Sequence, residues 1–163
     1  MRMTPITPRK NQYALRAVFE LAKHRGKGPI KISDIAEAQS IPLRFLEVIL
    51  NQLKGSGLID AKRGFYGGYY LTRSPAHITV ADIMSFMQGP ARSAQCAACK
   101  ATVKCPHGHR CAFMAMWNRV DRAILQVYTE TTIQDLLDND RQLHGKKRSS
   151  LRRPLKTRQG RSL

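Results

Sequence analysis

Acidic residues are scarce in this chain: 11 Asp and Glu stand against 28 Lys and Arg in 163 residues, a formal charge of +17. A surplus of that size repels itself unless a polyanion meets it, so nucleic acid leads the candidate partners and an anionic membrane surface follows. Aromatic residues make up only 7% of the chain, with one Trp, and long apolar runs are missing. The longest candidate, residues 111–117, falls well short of the roughly 18 residues of a membrane span, and the basic start 1–10 lacks the apolar stretch of a signal peptide. The expectation is a cytoplasmic protein with no membrane partner. Cysteine is absent outside 96–111, where all four occur. In a reducing compartment such a cluster suits metal ligation better than disulfides, which would tie one short loop to itself. Enzyme constellations are also missing. No Ser-His-acid set, phosphate loop or carboxylate pair stands out, and the pair Cys96-x-x-Cys99 lacks the strand-helix-strand setting of a thiol oxidoreductase. The chain is read as a non-enzyme, without internal repeats and with one compact body plus an appendage.

The positive charge is uneven. From Asn139 onward nine Lys and Arg face one acid, Asp140, which is +8 of the +17. With isolated leucines among Gly145, Pro154, Gly160 and several Ser, residues 139–163 read as a disordered basic tail. It serves either as a solvated solubility tail or as a phosphate-binding arm.

The body reads as mostly helical. Residues 11–24 place Tyr13, Ala14, Ala17, Val18 and Leu21 on one helical face, and Gly26, Gly28 and Pro29 stop that helix. Ser33-Asp34-x-x-Glu37 suggests a second helix start, Gln39-Ser40 a break, and Pro42 the first turn of a third helix running to about Lys54. In that helix Leu46, Ile49, Leu50 and Leu53 form the stripe to be buried, while Arg44, Glu47, Asn51 and Lys54 make an outward face expected to be polar. Residues 58–62 and 69–72 read as two strands around the glycine-rich basic tip 63–68, a hairpin wing. A helix over 79–87 follows, stopped by Gly89-Pro90. Beyond the cysteine loop, Phe113, Met116, Trp117, Val120, Ala123, Ile124, Val127 and Tyr128 mix steps of three and four along roughly 28 Å of helix. Thr131-Thr132 then caps a short last helix over 133–137.

The fold class is therefore mostly α: a winged helix-turn-helix domain over 1–88, a cysteine-bearing loop over 89–111, a long dimerisation helix with a short C-terminal helix over 112–138, and the tail over 139–163. A helix about 10 to 12 Å across fits the DNA major groove. A glycine-rich hairpin carrying an arginine reaches the adjacent backbone or minor groove. The cysteines run C-x2-C-x5-C-x5-C as Cys96, Cys99, Cys105 and Cys111. Thiolates favour zinc, cuprous copper or iron-sulfur clusters. Structural zinc commonly uses paired C-x2-C knuckles, and this loop has one such pair; zinc stays open as the alternative.

Four segments of the chain resemble the winged-helix repressors of the Rrf-two superfamily, whose members include regulators of iron-sulfur biogenesis, nitric-oxide response and iron. Tyr13-Ala14-Leu15-Arg16-Ala17 resembles the opening helix, and Ile41-Pro42-Leu43-Arg44-Phe45-Leu46-Glu47 resembles the recognition helix. Arg63-Gly64-Phe65-Tyr66-Gly67-Gly68-Tyr69-Tyr70-Leu71 resembles the wing, and the cysteine loop leading to Trp117 is the fourth segment. The similarity covers about residues 3–138 and leaves the basic tail outside. It implies a DNA-binding transcription repressor, and burying the apolar stripe from Phe113 to Tyr128 implies a homodimer that reads a pseudo-palindromic operator in double-stranded DNA. Arg44, Glu47 and Arg63 fall at positions that contact DNA in the family, and Tyr66 in the same wing is taken with them. It also implies an iron-sulfur cluster, [2Fe-2S] or [4Fe-4S], on Cys99, Cys105 and Cys111, sensing redox, nitric oxide or iron status. At the two positions where relatives carry a fourth ligand, this chain has Met114 and Gln12. Cys96 is then the expected fourth ligand, with His107 and His109 as fallbacks. The alternatives kept are a winged-helix protein with a structural or sensory zinc site, and an architectural nucleic-acid binder without sequence preference.

Overall fold

The computed structural model describes residues 8–88 and 111–150. Helix α1, Arg9–Lys23, buries the face expected of it: Ala14, Ala17 and Val18 are fully covered and Leu21 nearly so. Gly26 and Gly28, both at positive φ, and Pro29 turn the chain into α2, Ile32–Gln39. This helix begins one residue before the expected start: Lys31 precedes it without a side-chain cap, and the Ser33 hydroxyl instead donates to Asp34. Its end is closed by two backbone bonds, from the N–H of Ile41 to the Ala36 carbonyl at 2.9 Å and from that of Ser40 to the Glu37 carbonyl at 3.2 Å. Ser40 takes the left-handed conformation, φ 49°, that this closure needs and that glycine usually supplies. Pro42 sits just before α3, Leu43–Lys54, and its carbonyl accepts from Phe45 and Leu46.

Leu46, Ile49, Leu50 and Leu53 of α3 are all fully buried. They meet Val18 and Leu21 of α1, Ile35 of α2 and Ile59 in one core, an arrangement that fixes the outward face of α3 by packing alone. The wing is the antiparallel pair β1, Ile59–Lys62, and β2, Gly68–Leu71, with Ile59 opposite Leu71 and Lys62 opposite Gly68. Ile30 adds a rung to β2: its N–H donates to the Tyr69 carbonyl at 3.0 Å and its carbonyl accepts from Tyr69 at 2.8 Å. The buried carboxylate of Glu20 on α1 accepts from the Gln39 amide at 2.6 Å, and Arg16 donates to the Gln39 backbone carbonyl. The end of α2 is thereby clamped to α1.

A 3-10 turn, Pro75–His77, leads to α4, Val80–Gln88. Helix α5, Met114–Glu130, and helix α6, Ile133–Ser150, complete the described chain. Helices α4 and α6 start side by side: the N–H of Val80 bonds the Thr131 carbonyl and that of Ile133 the Ile78 carbonyl, each at 2.9 Å. Each start carries the same reciprocal cap. Thr79 pairs with Asp82 and Thr132 with Asp135, the threonine N–H donating to the carboxylate at 2.8 Å and the aspartate N–H to the hydroxyl at 3.1 Å. The hydroxyl cap expected for the last helix is thus present.

That helix is much longer than expected. Instead of ending near residue 137 it runs to Ser150, so the boundary drawn at 138/139 falls inside it and the first twelve residues of the supposed disordered tail are helical. Ile133 and Leu137 anchor it in the core. Beyond them, pairs three or four residues apart carry it on: Gln134 to Asp138 at 3.0 Å, Arg141 to Asp138 at 3.1 Å, and the His144 ring 3.2 Å from the Asp140 carboxylate. The remaining tail, 151–163, lies outside the described residues.

Candidate nucleic-acid interface and metal-ligand loop

Arg44 and Glu47 stand exposed on α3, with Asn51 and Lys54 further along the same side. The face is less polar than expected, because Leu43, Phe45 and Val48 are also 50%, 42% and 59% exposed. The core stripe uses the steps 46, 49, 50 and 53, which leaves Val48 one turn beyond Arg44 on the outward side. An apolar group there suits a thymine methyl, the major-groove feature that charged side chains do not read. Val48 is a candidate contact that sequence reading missed. The signal was its i+4 spacing from Arg44. Phe45 is partly occupied, since Tyr13 of α1 meets it edge-on with ring centroids 5.8 Å apart.

The wing lies beside α3, which packs on β1. The Tyr69 phenol of β2 is held above its usual pKa, first by burial and second by the charge of the Glu47 carboxylate. Tyr69 is therefore a neutral hydrogen-bonding group throughout the physiological range, and Glu47 lies at the junction of helix and wing. At the tip, the Gly67 N–H donates to the Gly64 carbonyl at 2.9 Å, closing a turn whose two central residues are Phe65 and Tyr66. A Cβ on Gly67 would meet the Lys62 carbonyl at 2.2 Å, and one on Gly68 the Ile30 carbonyl at 2.4 Å, so both positions require glycine. Phe65 and Tyr66 are 80% and 83% exposed, and Lys62 and Arg63 are exposed beside them. The Lys31 ammonium lies 5.3 Å from the Phe65 ring. Three cations and two aromatic rings thus share the projecting end of the hairpin.

Of the expected metal ligands only Cys111 falls within the described residues. Its thiol is free and half-buried, and its carbonyl accepts from Met114 at 3.1 Å at the entrance to α5. Cys96, Cys99, Cys105, His107 and His109 lie outside the described residues. Among the described residues no three His, Cys, Asp or Glu gather as a metal site. The donor set available to the loop is four soft thiolates, which fits an iron-sulfur cluster or zinc.

Helix α5 has no buried residue. It packs on α4, and its half-buried residues Met114, Trp117, Asp121, Ile124 and Tyr128 step by three and four. One residue earlier in each step runs a second stripe, Phe113, Met116, Val120, Ala123 and Val127, and all five are exposed. Steps of three and four are the period of a seam between helices.

The family model of an iron-dependent transcriptional regulator, Rrf2, matches residues 7–139. This chain belongs to the Rrf2 family. It is a winged-helix, DNA-binding transcription regulator, as the resemblance implied. The transcriptional regulator IscR of Xenorhabdus nematophila is 32% identical over 96% of this chain and 96% of its own length. The solved structure of T. potens IscR matches with TM-score 0.69 at 29% identity, covering 85% of this chain and 90% of that one. CymR, the global cysteine regulator of B. subtilis, matches with TM-score 0.68 at 31% identity, covering 84% of this chain and 98% of its own. These relatives are named as transcription regulators, in keeping with a non-enzymatic role. No helix among the described residues is long and apolar enough to cross a membrane.

Proposed function

We propose that the protein is a homodimeric cytoplasmic repressor that reads a pseudo-palindromic operator, with affinity governed by an iron-sulfur cluster in loop 96–111. The observation that carries the DNA-reading half is the joint presentation of Arg44, Glu47 and Val48 on α3 and of Arg63 and Tyr66 on the wing, all exposed on a rigid core. The helix supplies base-edge contacts in the major groove, and Arg63 supplies affinity from the wing. The exposed stripe of α5 supports the dimer: two copies crossing at that seam bury it, and a two-fold protein requires a two-fold site. The charge of 151–163 adds a sequence-independent phosphate term.

Cys99, Cys105 and Cys111 are the proposed core ligands and Cys96 the fourth. A cluster held there supplies a redox-responsive and iron-responsive centre, and the family description as iron-dependent supports it. Cys111 connects that centre to the dimer helix, because its carbonyl is part of the turn that starts α5. Metal held by the loop would then bias how two winged domains are held. A second reading, cysteine sensing, draws on the CymR match. The cysteine loop argues for metal ahead of it, since a small-molecule sensor does not need four thiols in sixteen residues.

The test of the DNA reading is competition between DNA selected by the protein from a random pool and unselected DNA at rising salt. A sequence-reading protein keeps its ranking as salt rises, whereas an architectural binder loses affinity equally on both. Removing 151–163 takes away five cations, and the slope of log affinity against log salt should fall by up to about 4 to 5 with the ranking unchanged.

A further inference from the structure

Phosphate and base-edge contacts use the charged groups of the wing and leave its two aromatic rings unexplained. Central positions of a tight turn ordinarily hold Gly, Pro, Asn, Asp or Ser, which suit its dihedral angles and tolerate water. Here they hold Phe65 and Tyr66, 80% and 83% exposed, edge to face at 87° with centroids 5.0 Å apart. The turn beneath them is rigid: it is closed from Gly67 to Gly64, and the strand that follows is tied on both sides, to β1 and to Ile30. Two large rings fixed at the tip of a stiff hairpin keep their apolar area in water, a standing cost that a partner must offset.

The surroundings say which partner. Lys31, Lys62 and Arg63 frame the rings with positive charge, and the Lys31 ammonium approaches the Phe65 ring at 5.3 Å. An apolar centre within a cationic rim is complementary to a groove whose floor is stacked bases and whose edges are phosphates. It is poorly matched to a second copy of this +17 chain. Proteins that enter the minor groove use such apolar wedges to part a base step, and pyrimidine-purine steps part most readily.

We propose that Phe65 and Tyr66 form a wedge that enters the minor groove beside each half-site and partly unstacks one flexible base step there. The operator is then read in part by its deformability, at a position where no side chain contacts a base edge. This inference rests on the reading of α3 and the wing as the DNA interface. Tyr66, already counted in that interface, becomes half of an apolar wedge. The geometry also assigns Phe65, which carries no polar group, to the interface.

The experiment uses the full-length protein and a duplex that it selects from a random pool, synthesised with the fluorescent base analogue aminopurine at successive positions under the wing. Binding of the unaltered protein should raise emission, by unstacking, at one step in each half-site. The double variant Phe65→Ala, Tyr66→Ala should protect the same half-sites on the order of 10- to 100-fold more weakly. It should give no rise in emission, and it should no longer distinguish a TA from an AA step at that position. Half-site protection by the unaltered protein without any rise would overturn the wedge, as would a double variant that retains the rise. A double variant with altered oligomeric state and unaltered DNA binding would also overturn it, assigning the rings to a protein contact. Failure of the unaltered protein to prefer any selected sequence over random DNA would instead overturn the DNA-interface reading, and the wedge with it.

Discussion

Glu47 is an exposed acid on the face of α3 proposed to read DNA, in a chain with very few acids, and its charge helps to raise the pKa of the Tyr69 phenol. A carboxylate there repels phosphate and accepts from a cytosine amino group, so it adds discrimination and subtracts from general affinity. Arg63, in the proposed interface, would do the reverse. Glu47→Ala should therefore narrow the gap between selected and random DNA by about 1–3 kcal/mol while total affinity changes less. Arg63→Ala should weaken binding to both, as titrations on the two DNA pools will show. Equal loss on both pools for Glu47→Ala would contradict its role. Gly67 gives a sharper structural test. An added Cβ would lie 2.2 Å from one backbone carbonyl oxygen and 2.8 Å from another, and neither can move without opening the turn. Gly67→Ala should leave the helical circular dichroism intact and lower DNA affinity about tenfold, the loss of one good contact.

At the scale of elements, the reciprocal cap at the start of α6 makes that helix sensitive to acid. The Thr132 hydroxyl, and after it the Thr132 N–H, hold the Asp135 carboxyl below its usual range. Its folded pKa is lower than its unfolded one, so the cap's contribution is complete above about pH 4 and disappears as pH falls through the folded value. Far-ultraviolet circular dichroism should show loss of helix on acidification that is reduced in Asp135→Asn. The threonine cap was legible because Thr131-Thr132 directly precedes the run from Ile133 to Leu137, whereas its reciprocal partner Asp135 became evident only in the fold. The α3 stripe was legible too, because a fully buried face leaves an unbroken spacing of large apolar residues. The length of α6 was not legible, because it rests on polar pairs among Gln134, Asp138, Asp140, Arg141 and His144 that resemble a solvated tail. Nor was Val48. An apolar residue at an outward position looks in sequence like a core residue until the packing shows which way it faces. Of the expected site, Arg44, Glu47, Arg63 and Tyr66 are exposed where the sequence placed them, and Cys111 heads the long helix.

At the scale of the molecule, the exposed stripe of α5 is the proposed dimer seam. Phe113, Met116, Val120, Ala123 and Val127 run along most of a helix about 25 Å long. Val120→Glu places two carboxylates in that seam if it is a two-fold interface. Light scattering should then report a monomer, and affinity for a two-half-site duplex should fall by about 100-fold or more through loss of bivalence. Unchanged mass for this variant would assign the dimer elsewhere. The same helix begins just after Cys111, so in the proposed function metal held by the loop would act on dimer geometry, and through it on DNA reading. The most direct measurement is therefore made on protein purified without oxygen: iron, sulfide and zinc are quantified in one sample, and its affinity for the selected duplex is titrated before and after chelation. The account predicts visible absorption with iron and sulfide bound, loss of both in Cys99→Ala, Cys105→Ala or Cys111→Ala, and a change in DNA affinity of at least about tenfold when the cluster is removed, or about 1.4 kcal/mol of differential stabilisation. One zinc per chain with no sulfide, or an affinity indifferent to the metal, would contradict it.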